Sequence, residues 1–133
     1  MNDISNIKRF VGKLYWVRPN IKTIPNYSKL EDLAFAEVSR AIMNDKIFTI
    51  SWISRDVQPG LIKLQTTDYI NYRGVFSYTD ENDFSGSINC TYYENSQGAI
   101  LIGNELERGY DSTFLAVLNK IDRFEDDIIK QKL

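Results

Sequence analysis

The chain has 133 residues, 43% of them hydrophobic and 26% charged, which supplies one packed core and excludes a disordered chain. Sixteen lysines and arginines stand against eighteen aspartates and glutamates, a net charge of -2 without the basic excess that binding duplex nucleic acid requires. Histidine is absent, which excludes Ser-His-Asp and Cys-His catalysis and the common zinc sites, and a lone cysteine, Cys90, excludes an internal disulfide.

The stretch Met1–Lys8 has no apolar core of signal-peptide type. No apolar run approaches the roughly 20 residues that cross a bilayer. A cytoplasmic protein with no membrane insertion is expected. From Phe10 to Arg18, Phe10, Gly12, Leu14 and Trp16 alternate with Val11, Lys13, Tyr15 and Val17, which predicts a strand. Gly12 within it signals a bend or a close backbone approach. Pro19 ends the strand, and residues 19–27 read as loop. Ser28 and Glu31 then form a capping box. Leu30, Leu33, Ala34, Val38, Ala41 and Ile42 follow at helical spacing, with Arg40 toward the end and Asn44 as a C-terminal cap. This pattern predicts a helix over 29–43.

Period two returns after the helix. Ile47–Ser54, Leu61–Thr66, Ile70–Tyr78, Ser85–Tyr93, Ala99–Leu106 and Thr113–Ile121 read as strands. Gln58-Pro59-Gly60, Asp80–Asp83, Glu94–Gly98 and Arg108-Gly109 read as the turns between them. Asp122 and Glu125 form a second capping box, with Phe124 and Ile128 on one side and Lys130 and Lys132 in the last turn. A short amphipathic helix over 122–133 is expected, packing on the sheet or on a twin subunit in a homodimer. The sum is a single domain over 1–133. It is mainly β, an antiparallel small β-barrel of about seven or eight strands over 7–121, with one helix between strands 1 and 2 and a short C-terminal helix.

The segment Phe10-Val11-Gly12-Lys13-Leu14 resembles the Phe-Val-Gly-x-Trp opening of intracellular lipid-binding proteins, with the tryptophan displaced to Trp16. The element order resembles the calycin-type small barrels: lipocalins, fatty-acid-binding proteins and avidin-like barrels. A fainter likeness is to the avidin-like barrel of membrane-anchored bacterial effectors in cyclic-nucleotide antiviral signalling. The resemblance implies a barrel that takes a small ligand in its interior.

Trp16, Trp52, Tyr72, Tyr78 and Tyr92 share the expected inward parity and are candidates to line a ligand cavity, with Arg18 at the rim for an anionic group. The same rings equally serve to fill a small barrel. Arg73 points opposite to Tyr72 and Phe76, which makes it either a solvated residue or a carboxylate or phosphate clamp. Asp80, Glu81 and Asp83 fit turn chemistry better than a calcium loop. Glu105 and Glu107 lie on one strand face near a turn, as a carboxylate pair at a cleft or a solvated strand end. Cys90 shares parity with Ile88 and Tyr92 and reads as a buried, inert thiol. No catalytic pair, metal site or cofactor motif is read, and the protein is expected to be no enzyme.

Two function classes remain. A small-molecule-binding barrel, for sequestration or sensing, predicts an open, aromatic-lined cavity. A protein–protein interaction module, such as a bacterial immunity protein or a phage-encoded inhibitor of host defence, predicts a filled core and an exposed patch. The abundance of Ile, Asn, Lys and Tyr suits an AT-rich bacterial or phage genome.

Overall fold

Period-two alternation gives each strand one apolar face, and a sheet with one apolar face buries it by closing on itself. The computed structural model describes residues 7–17, 34–54, 59–78, 86–107 and 109–124. Eight strands are present: β1 (Ile7–Val17), β2 (Ala34–Asn44), β3 (Ile47–Ser54), β4 (Pro59–Thr66), β5 (Asn71–Tyr78), β6 (Gly86–Glu94), β7 (Gly98–Glu107) and β8 (Tyr110–Ile121). Each pairs antiparallel with its neighbour in sequence, and β1 pairs with β8 to close the barrel. Following register partners once around from Ile7 leads through Asn44, Ile47, Gln65, Arg73, Asn89, Asn104 and Thr113 back to β1 at Val17. The stagger from 7 to 17 is ten residues, so the strands tilt by roughly 40° from the axis. Eight strands leave an interior that side chains fill or that holds one small ligand.

The expected helix over 29–43 is overturned: Ala34–Asn44 is β2, the second strand of the barrel. Residues 29–33 lie outside the described residues. The misleading spacing has a physical source. Phe10 and Gly12 of β1 face Ala41 and Val38, and Val38 and Arg40 face the adjacent residues Trp52 and Ser51 of β3, so β2 carries one extra residue in a bulge. Inward positions therefore run Ala36, Val38, Ala41, Met43. The three-residue step from Val38 to Ala41 imitates one turn of helix. The bulge also keeps Arg40 out of the lumen, where an unbroken period of two would have placed it.

The C-terminal helix is corrected as well. Residues 122–124 form a bend after β8 rather than a helical turn, and 125–133 lie outside the described residues. Phe124 is nevertheless buried, with the Arg40 guanidinium 4.1 Å from its ring centroid. Pro59 and Gly60, read as turn, begin β4 instead.

The lumen is apolar through its middle. Phe10, Phe48, Ile50, Ile62, Leu64, Tyr72, Ile88, Leu101 and Phe114 are its largest fully buried side chains. Glycines let the wall coil tightly: a Cβ on Gly103 would sit 1.9 Å from the carbonyl oxygen of Asn89 on the next strand. Mid-strand outward positions carry Lys13, Glu37, Lys63 and Arg73. No helix among the described residues is long and apolar enough to cross a membrane.

Candidate functional site

Antiparallel order places alternate connections at opposite ends of the barrel. One end carries residues 45–46, 67–70 and 95–97, connections of two, four and three residues. The other carries 18–33, 55–58, 79–85 and 108–109, connections of sixteen, four, seven and two residues. Loops on a rigid barrel are where binding groups collect, so the long-connection end is the first place to look.

At the short-turn end the lumen is packed. Phe48 meets Phe10, Tyr72 and Tyr92 with ring centroids 5.7, 6.2 and 6.3 Å apart, and Tyr72 and Tyr92 lie 5.6 Å apart. The Tyr72 hydroxyl donates to Met43 Sδ at 3.8 Å, and burial pushes its pKa up to about 12. Above the rings Lys8 Nζ bonds both oxygens of Glu94, at 3.0 and 2.9 Å, and the Tyr92 hydroxyl donates to Glu94 Oε2 at 3.0 Å. Burial raises the Glu94 pKa, but the Lys8 and Tyr92 hydrogen bonds outweigh it and hold the carboxyl below its ordinary value. Inward polar groups here satisfy one another, and this end is plugged.

At the long-connection end a second ring cluster forms the floor. Trp52 packs against Tyr78 at 5.9 Å and Phe76 at 6.3 Å, and Phe76 meets Tyr78 edge-on at 6.3 Å. The Trp52 indole lies against its register partner Gly60, where a Cβ would come within 2.1 Å of the indole Cζ2. The glycine thus fixes where the indole rests. Trp16, opposite Phe114 on β8, is half-buried beside the same core. Three polar residues share this end. Glu105 faces Ser112 across β7 and β8, and Glu107 faces Gly86 on β6, beside Phe76. Glu107 is only 9% exposed and Ser112 4%, and both carboxylates are engaged by neighbours. Among the described residues no buried side-chain N or O lacks a hydrogen-bond partner.

The six residues expected to line one cavity are thus divided. Trp16, Trp52 and Tyr78 gather at the long-connection end. Tyr72 and Tyr92 belong to the plugged end. Arg18 lies outside the described residues. Phe76 and Ser112 join the site unannounced by any motif. Glu105 and Glu107 had a readable signal: they share inward parity with Leu101 and Gly103, so a polar pair continues an apolar face.

Cys90 is buried in the wall, where burial pushes its pKa up to about 12. Two concavities lie on the outer wall, one of about 740 Å³ across β4 to β7 and one of about 400 Å³ across β8, β1 and β2. Tyr15 borders the second; it points outward yet is buried. Among the described residues no group of three or more acidic, cysteine or histidine side chains is placed to hold a metal ion. Comparison of the chain with protein-family models, curated proteins and solved structures finds no match.

Proposed function

We propose that this protein is a non-enzymatic binding barrel that holds a small molecule at its long-connection end, acting in the cytoplasm. One observation carries the reading: Glu105, Glu107 and Ser112 turn inward at the end where Trp16, Trp52 and Tyr78 gather. Carboxylates on the inner face of a barrel are costly unless they are paired. Beside a ring floor they suit a ligand with a flat or apolar body and hydrogen-bond donors toward the acidic rim. The calycin-like pattern at Phe10–Leu14 supports the same reading. So does the state of Cys90, whose burial disfavours the thiolate a nucleophile needs.

Tryptophan fluorescence tests it, since both tryptophans sit at that end. Titration with small-molecule extract from the source cells is expected to change the emission, and native mass spectrometry to show a retained mass. Trp16→Ala should remove the fluorescence response while the barrel still folds. Unchanged emission and an empty mass spectrum would reject the proposal.

A second reading rests on the outer wall. Tyr93 and Ile100 are register partners, and Ile102 and Leu106 follow Ile100 along the outward face of β7; all four are exposed. Such a patch suits a protein partner. A stoichiometric protein in a pull-down, with silent fluorescence, would favour it.

A further inference from the structure

The larger outer concavity is a trough between two rows of side chains. Its floor is the backbone of Thr66, Tyr72, Cys90 and Gly103, register partners across four strands. Asn71 and Thr91 form one wall, and Gln65, Arg73 and Asn89 the other.

The walls differ in how they are held. The Thr91 hydroxyl donates to Asn71 Oδ1 at 3.4 Å, and the Asn71 amide donates to Asp68 Oδ2 at 2.9 Å. Asp68 Oδ1 also accepts the backbone N–H groups of Asn71 and Ile70, at 2.8 and 2.9 Å, which hold this carboxyl well below the usual carboxylate range. The only acid in the trough is therefore committed to its own loop. On the opposite wall Gln65, Arg73 and Asn89 stand exposed and in register, and none has a side-chain hydrogen bond or ion pair with another described residue.

We propose that this trough binds a small hydroxylated anion, a sugar bearing a phosphate or a carboxylate. The Arg73 guanidinium presents a fork of donors that matches either anion. The amides of Gln65 and Asn89 each offer a donor and an acceptor, which is what a sugar hydroxyl pairs with. A neutral sugar leaves the arginine unused, and a bare anion leaves the amides unused. The site lies on the outside of the wall, away from the ring-floored end, and stands independently of it.

The test is an amide-resolved NMR titration of the full chain with glucose 6-phosphate, glucuronate, glucose and inorganic phosphate. Saturable shifts at Arg73, Asn89 and Thr91 are expected with the two charged sugars, and their relative affinity identifies which anion is preferred. Glucose and inorganic phosphate should bind about tenfold more weakly, each lacking one set of contacts. Arg73→Gln should weaken the charged sugars by about tenfold with an unchanged melting temperature, because the side chain is exposed. Absence of saturable shifts with either charged sugar, or equal binding by the variant, overturns the proposal. Inorganic phosphate binding as tightly as the sugar phosphate would reduce the trough to a plain anion contact and overturn it too.

Discussion

Both ends of this barrel finish the same alternation of residues, and both carry a cluster of rings. At the short-turn end four rings pack together and Lys8, Glu94 and Tyr92 bond across them, so inward polar groups close the lumen. At the other end three rings pack beneath Glu105, Glu107 and Ser112, with Trp16 only half-buried. The contrast teaches that an inward polar residue has two uses in a small barrel. Paired across the end, it is a plug. Set beside half-covered aromatics, it is the group we propose a ligand meets.

The comparison breaks most readily at Phe48. Phe48→Ala removes the ring that touches three others and should cost about 3–5 kcal/mol in denaturant unfolding. Trp16→Ala, at a half-buried position, should cost about 1–2 kcal/mol. Equal losses would erase the difference between a packed end and an open one. Gly60→Ala comes next. Its methyl group meets the Trp52 ring, so a loss of about 1–3 kcal/mol should accompany a shift in tryptophan emission. Unchanged emission would mean that Gly60 does not seat the indole. The smallest effect concerns Glu94. Its folded pKa is lowered, so its contribution is present above the ordinary carboxylate range and fades as pH falls through it. Glu94→Gln should therefore flatten stability between about pH 5 and pH 3, by under about 1 kcal/mol because the pair is partly exposed. A pH profile identical to the parent's would show that the bridge contributes nothing.

Face was legible in the sequence, and height was not. Parity along β5 and β6 placed Tyr72, Phe76 and Cys90 inside and Arg73 outside. Whether two inward residues meet depends on how far up the barrel each sits. That is fixed by a stagger accumulated over all eight registers, which no single segment contains. Tyr72 and Trp52 have the right parity and still lie in different clusters. The missed strand has a local cause. One inserted residue near Ser39 changed an inward step from two to three, and the capping pattern at Ser28 and Glu31 completed the imitation of a helix.

The β1–β8 seam has a consequence for how the barrel assembles. Seven of the eight pairings join chain neighbours, six of them across connections of two to seven residues and β1–β2 across sixteen. The eighth joins Arg9 to Ile121, so its loop-closure entropy is the largest in the molecule and its contacts are the last to be rewarded. At this joint the strands also approach closely, since a Cβ on Gly12 would lie 2.1 Å from the Val117 carbonyl oxygen. Amide hydrogen exchange faster at Val11 and Lys13 than at Ile62 and Leu64 would mark the seam as the line along which the barrel breathes. A barrel that opens there would come apart as a curved sheet with its hairpins intact, not as an unfolded chain.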